Sequence, residues 1–401
     1  MRIIQLCHRV PYPPNDGGNI AMLSLTQALA SQHSEIKMLA LNTKKHFIDP
    51  ASLPNELRIG FNIEAVNIDT SVKTHKAFLN LFTSDSYNIS RFYSEQFDQK
   101  LANVLHEKEH DIVLLESLFM TPYINTIRKN SKAKIVLRAH NAEYIIWERL
   151  AFNEKNVLKK KYFELLVRRL KRYELETINR VDAILPITDD DEAVFKNAGT
   201  NRPMLVTPVG IDVNNFDNNK QQTTNNKPLS LFHLGAMDWM PNLEGVQWFL
   251  KNCWPMIHQK FQTLSLFLAG RGFPNNIKYN APANVICEGE IKDAEKYMND
   301  KQIMIVPLLS GSGMRVKIIQ GMALGRTIIS TSIGAEGIDC TDGKNILIAD
   351  TPEEFLSKIN DCINDGAYCS SIGDEAKRLV AEKYSNQAIG ERVVAFLQNI
   401  I

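Results

Sequence analysis

Short apolar runs of strand length alternate with longer stretches of helical period along nearly all of this 401-residue chain, and that alternation limits the fold more than any other feature. In the first half the runs fall at residues 3–7, 36–41, 112–116, 135–138 and 183–187. In the second they fall at 229–234, 264–269, 285–288, 303–309, 327–330 and 346–349. Strands separated by helical segments are the pattern of parallel sheets with crossover helices. Between the two sets lies 214–228, rich in Asn, Asp, Gln and Thr, whose composition cannot build a core. The expectation is two doubly wound α/β domains, residues 1–213 and a second beginning at 229, joined by a polar linker. Ligands of such sheets bind outside the carboxyl ends of the strands, so a cleft between the domains is the expected site.

Bulk charge excludes some partners. With 46 Lys and Arg against 45 Asp and Glu, the formal charge is +1, and no global field draws the chain to nucleic acid. An apolar share of 44% with 23% charged residues is ordinary for a soluble globular protein. Cys7, Cys253, Cys287, Cys340, Cys362 and Cys369 are scattered without a CxxC or other metal-ligand spacing, so they read as reduced thiols of a cytoplasmic protein, and no metal is expected. The first apolar run ends at His8-Arg9 and a Pro-rich turn and is not expected to act as a signal peptide. No window approaches the ~20 apolar residues of a transmembrane span.

The most informative local motif runs from 303 to 325. A buried-type strand leads into Ser310-Gly311-Ser312-Gly313-Met314-Arg315-Val316-Lys317 and then a helix. Glycines let the backbone approach a ligand, and the free amides and dipole of a helix N-terminus favour an anion. Arg315 and Lys317 oppose that dipole by a few tenths to about 1 kcal/mol, a cost that a diphosphate would offset through charge-assisted hydrogen bonds. The other reading is a glycine turn before a solvated helix with two surface cations.

Other motifs stand at the ends of the first-half strands. Residues 8–19 lack the GxGxxG of a dinucleotide-binding turn; instead Asp16-Gly17-Gly18 precedes a helix from about residue 20, whose amides could touch a phosphate or sugar, or which is a plain turn capped by Asn19. His140 ends the 135–138 run, where a histidine either serves a ligand or is structural, and Glu143 stands where it could orient His140 or cap the next helix. Residues 155–172 carry eight cations and Glu164, interleaved with Leu, Tyr and Phe. This is a basic amphipathic helix, readable as a face resting on anionic lipid or as a solvated surface. No paired carboxylates, HExxH, GxSxG or Walker-type loop appears.

Taken together, the pieces resemble the GT-B glycosyltransferases of the retaining family-four type, glycosyl transferases group 1, over nearly the whole chain. The landmarks are 13–18, His140-Asn141-Ala142-Glu143, Pro208-Val209-Gly210-Ile211-Asp212 with Phe216, His233-Leu234-Gly235-Ala236-Met237-Asp238-Trp239 with Pro241-Asn242, Leu268-Ala269-Gly270-Arg271-Gly272, 311–325, and Gly334-Ala335-Glu336-Gly337-Ile338. The resemblance implies two Rossmann-like domains, an acceptor-side one at 1–213 and a nucleotide-sugar-binding one at 229–385, with a final helix, 386–401, crossing back to the first. It implies metal-independent transfer of a sugar from a UDP- or GDP-sugar to a hydroxyl of a glycan or lipid-linked acceptor, in surface polysaccharide or glycoconjugate synthesis. The nucleotide sugar is a co-substrate, and no cofactor is implied. His140, Arg315 and Lys317 take the catalytic roles; Gly17, Gly18, Gly235, Arg271, Ser312, Gly313, Met314 and Gln320 contact the donor. The location is then cytoplasmic, with 155–172 as a peripheral contact on the inner membrane face.

The chain departs from the family at several positions. Two glutamates eight positions apart usually touch the donor sugar and the ribose, and here Ser312 and Gln320 stand in their places. A glutamine amide still accepts from a hydroxyl, though its neutral bonds are weaker than a carboxylate's. The Arg and Lys usual after the first strand of the second domain are replaced by Met237-Asp238-Trp239, which leaves Arg315 and Lys317 as the available cations, with Trp239 able to pack near the base. Two other functions stand beside transfer: a nucleotide-sugar epimerase of similar architecture, and a weakly active relative serving as a binding subunit.

Overall fold

The computed structural model describes residues 1–73, 80, 83, 85–213, 229–311 and 313–401. They form two compact units, one made of Met1–Gly210 with Ile389–Ile401, the other of Ile211–Ala388. In the first, β1 (Arg2–Cys7), β2 (Glu35–Thr43), β3 (Glu64–Ile68), β4 (Ile112–Glu116), β5 (Lys134–Ala139) and β6 (Ala183–Pro186) build a parallel sheet in the order β3-β2-β1-β4-β5-β6. The second repeats the plan with β7 (Ser230–Leu234), β8 (Ser265–Ala269), β9 (Val285–Gly289), β10 (Ile303–Val306), β11 (Thr327–Ser330) and β12 (Leu347–Ile348), ordered β12-β11-β10-β7-β8-β9. The strand order reverses between β1 and β4 and between β7 and β10, and at such a point the chain opens a crevice at the carboxyl ends of the strands.

Both faces of each sheet are covered, which is why the strands read as continuous apolar runs. Ile4, Leu6, Val113 and Leu115 enter one core layer of the first unit. Ile3, Ile112, Leu114 and Val136 enter the other, with Leu25 and Leu29 of the Gly17–Ser31 helix. β3 has no counterpart among the expected strands: it lies at the sheet edge with only Val66 buried, so it carries no apolar run. The run at 303–309 ends as a strand at Val306, because Pro307 has no amide with which to continue the ladder.

The helix after β1 starts at Gly17, ahead of the expected residue 20, because Asp16 caps it in place of Asn19. Asp16 accepts the Asn19 amide at 3.0 Å, while the Asn19 side chain turns back to the Pro13 carbonyl at 2.8 Å. The last helix, Asn386–Gln398, buries Ile389, Val393 and Leu397 in the layer containing Ile3 and Ala28. A Cβ on Gly390 would fall 2.3 Å from the Ala28 carbonyl oxygen, so this close helix packing depends on glycine. No helix among the described residues is long and apolar enough to cross a membrane.

Candidate functional site

In the second unit β10 leads through a glycine turn into the Val316–Ala323 helix. Gly311 and Gly313 have φ of +120° and +80°, the left-handed region that favours glycine. A Cβ on Gly311 would fall 2.8 Å from Arg315 Nη2 and 3.2 Å from the Trp239 ring. Glycine there lets guanidinium and indole meet over the turn. Arg315 donates from Nη1 to the Gly313 carbonyl and lies 5.4 Å from the Trp239 ring centroid. Trp239 therefore packs on Arg315. Burial lowers the Arg315 pKa from its ordinary value, with the Glu336 carboxylate pulling the other way.

Lys317 is half-buried in the first turn of the helix and makes no ion pair among the described residues. Burial lowers the pKa of its ammonium. One turn further along, the side-chain oxygen of Gln320 is buried and accepts from no donor among the described residues. The cations and this oxygen stand at the carboxyl end of β10, beside the reversal of strand order.

The loop after β7 completes this crevice. His233 bonds through Nδ1 to the Ile305 carbonyl at 2.9 Å, and its Nε2 is buried without a partner among the described residues. Burial pulls its pKa down to about 4, so the ring is neutral. Since a carbonyl only accepts, Nδ1 carries the proton and Nε2 is an acceptor. A Cβ on Gly235 would lie 2.8 Å from that Nε2 and 2.6 Å from Asn242 Nδ2, so no side chain fits there. Arg271 reaches the same loop through Asp238 at 2.9 Å, and its carbonyl accepts the Met237 amide at 2.8 Å. Met314 packs its partly buried side chain on the core. Ser312 and the stretch 214–228, Phe216 included, lie outside the described residues.

In the first unit His140 follows β5 and holds Nε2 2.7 Å from the carboxylate of Glu116, the last residue of β4. Glu116 is fully buried. Its other oxygen accepts from Gln5 Nε2 at 2.7 Å and lies 3.7 Å from Arg138. Gln5 is in turn fixed by Thr26 at 2.7 Å, and Arg138 donates to the Ala21 carbonyl at 2.6 Å. Burial pushes the Glu116 carboxyl up, but Arg138, His140 and Gln5 outweigh it and hold the group below the ordinary carboxylate range. An ionised Glu116 fixes the His140 ring, and when Nε2–H donates to it, Nδ1 is left as an acceptor.

His8, after β1, stands edge-on to His140 with ring centroids 5.9 Å apart and bonds to the Glu116 backbone carbonyl at 3.1 Å. Burial first, then His140 and Arg9, push its pKa down to about 3, so it stays uncharged. Ser117, at φ +83°, holds a conformation uncommon for a residue with a Cβ, and its Oγ lies 3.3 Å from His8 Nδ1. Gly18 has a local reason: a Cβ there would fall 2.6 Å from Arg9 Nη2, where Arg9 pairs with Asp16. Gly17 has open space around it and no positive φ.

Sequence reasoning missed Glu116, which looks like the end of an apolar run. A carboxylate closing a strand expected to be buried on both faces was the available signal. The roles foreseen for Glu143 fall to other acids. Glu116 orients His140, and Glu174 caps the Glu143–Asn153 helix by accepting the Glu143 and Tyr144 amides at 3.0 and 2.9 Å, with Asp191 accepting the Ala142 amide at 2.9 Å. So the fold gathers three carboxylates where spacing gave no pair. Burial, with the neighbouring acids, pushes Glu174 up to about 8 and Glu143 to about 7.

Known proteins share this architecture. The chain superposes on HepE of Anabaena in complex with UDP with a TM-score of 0.66, at 13% identity and with all of both chains covered. It superposes on sucrose-phosphate synthase of Thermosynechococcus elongatus with a TM-score of 0.68, at 13% identity, covering 100% of this chain and 99% of the other. The fold is that of the GT-B glycosyltransferases. Residues 228–365 match the family model of glycosyl transferases group 1. An uncharacterized 44.6 kDa protein in the cps region of Klebsiella pneumoniae is 25% identical over 399 residues, 97% of each chain.

Proposed function

We propose that this chain is a retaining glycosyltransferase that moves a sugar from a UDP- or GDP-sugar to a hydroxyl of a glycan or lipid-linked acceptor without a metal ion. The observation that carries the reading is the pair Arg315 and Lys317, half-buried beside the glycine turn at the carboxyl end of β10. Transfer requires the sugar–phosphate bond to ionise, so the main catalytic task is to stabilise negative charge developing on the diphosphate. Arg315 offers charge-assisted hydrogen bonds and Lys317 a compact charge, and an anion would offset the desolvation of both. HepE, of the same fold, was solved with UDP and with UDP-glucose.

The buried Gln320 oxygen accepts from a ribose hydroxyl in this reading. Gly17, Gly18, Gly235, Gly313 and Met314 offer backbone to the donor, and Arg271 and Ser312 offer side chains. His140 hydrogen-bonds the transferred sugar through Nδ1 while Glu116 keeps the ring in place. The departing phosphate takes the acceptor's proton on the face it leaves, which preserves the anomeric configuration. The cps-region relative supports surface polysaccharide as the product class.

A thermal-shift screen with UDP, GDP and their sugars tests donor binding: a ligand at about 100 times its Kd adds about 2.7 kcal/mol of stability. Transfer with the donor so found, followed by NMR of the product anomer and repeated in EDTA, tests the rest. Retention with unchanged turnover in EDTA supports the proposal. A donor epimerised without acceptor would make the chain an epimerase, and nucleotide binding without transfer would make it a binding subunit.

A further inference from the structure

The basic segment foreseen as a lipid-resting or solvated helix divides into two parts. From Leu166 onward the Val157–Thr177 helix buries Leu166, Val167 and Leu170 in the protein. Among its cations there, Arg169 bonds to Asn80 and Lys171 to Glu148. The first turns are different, since no residue of 157–165 is buried.

Together with the end of the Glu143–Asn153 helix, these turns form a hairpin tip whose apolar side chains face outward. Phe152 and Leu158 are each 80% exposed, Val157 67% and Leu150 49%. Isolated exposed apolar residues are ordinary, but four on one tip make a patch. The tip is built and not frayed: Glu154 accepts the Asn156 amide at 2.8 Å, Asn156 accepts the Leu158 and Lys159 amides at 3.1 Å, and Trp147 packs edge-on against Phe163 behind it. Lys155, Lys159, Lys160 and Lys161 surround it without an ion pair among the described residues, Lys160 lying 5.8 Å from the Phe152 ring centroid.

We propose that this tip docks the protein on an anionic lipid bilayer, with Phe152, Val157 and Leu158 entering the acyl boundary and the lysines holding the headgroups. An apolar tip inside a cationic collar matches the two components of such a surface, a hydrocarbon layer beneath negative charge. A second copy fits less well, because a symmetric contact through this tip would bring the same lysines together. The inference is independent of the transferase reading.

The test is co-sedimentation of the full chain with phosphatidylglycerol-containing vesicles and with phosphatidylcholine vesicles, at low and high salt. Wild type should bind the anionic vesicles and lose affinity as salt screens the lysines. A Phe152→Ser, Leu158→Ser variant and a Lys159→Ala, Lys160→Ala, Lys161→Ala variant should each bind about tenfold or more weakly. Both should melt with the parent, since these side chains are outside the core. No binding by wild type, or equal binding by both variants, overturns the proposal. So does vesicle-free self-association that Phe152→Ser, Leu158→Ser abolishes, which would assign the tip to a second copy.

Discussion

In the first unit Glu116 lies among Gln5, Arg138 and His140, so the negative charge that orients its histidine is supplied by the fold itself. In the second, Lys317 has no carboxylate against it among the described residues, and the Gln320 oxygen and His233 Nε2 have no donor. Both crevices stand where the strand order of the same sheet plan reverses. What separates them is the origin of the compensating charge. The first carries its own counter-charge at Glu116, although Arg138 Nε and Nη2 have no acceptor among the described residues. The second holds Lys317 without a counter-charge and the Gln320 oxygen without a donor among the described residues, which the diphosphate and ribose of the proposed donor would supply.

The comparison can be broken by variants, beginning with the largest effect. Glu116→Gln removes the buried counter-charge of Arg138 and should lower the urea-unfolding free energy by about 3 kcal/mol or more. A change under about 1 kcal/mol would mean that the first crevice is not held by its own charge balance. Arg315→Ala should leave stability nearly unchanged yet cost on the order of 2 kcal/mol in kcat and in nucleoside diphosphate affinity, read from steady-state kinetics and calorimetry. Unchanged turnover would remove Arg315 from the mechanism.

The acid group at the start of the Glu143–Asn153 helix gives a pH signature. Glu174 has an ordinary value of 4.5 and is raised to about 8 by burial and its neighbouring acids, so the folded state favours its protonated form. The stability this confers is complete below the ordinary value and is lost as pH rises through about 8. Urea midpoints should fall across that window, and the fall should flatten in Glu174→Gln. A profile equally steep in the variant would assign the dependence to other groups. The smallest effect concerns the ribose: Gln320→Glu should bind the donor equally well or up to about tenfold tighter, because a carboxylate accepts more strongly. Weaker binding would show that Gln320 serves a different ligand.

Most strands were legible because burial on both faces writes them as apolar runs. The exception, β3, shows the limit, since an edge strand with Val66 alone buried leaves no such trace. The cation turn was legible because its residues are neighbours in sequence. The Glu116–His140 pair was not, for its members stand on different strands and only sheet order joins them. Glu143, Glu174 and Asp191 were hidden in a similar way, since they stand on three different helices that only the fold brings together. Asp16 shows the local version of the problem: two capping residues stood close together, and the Arg9 pair and the Asn19 bond to Pro13 decided between them.

The central claim is that the turn carrying Arg315 and Lys317 holds the diphosphate of a sugar nucleotide. Calorimetric titration of UDP and GDP into the wild type and into an Arg315→Ala, Lys317→Ala variant tests it most directly. Tight binding of one nucleotide by the wild type, weakened about a hundredfold or more in the variant while its melting temperature holds, is the predicted result. Equal affinity in the two proteins would contradict the account.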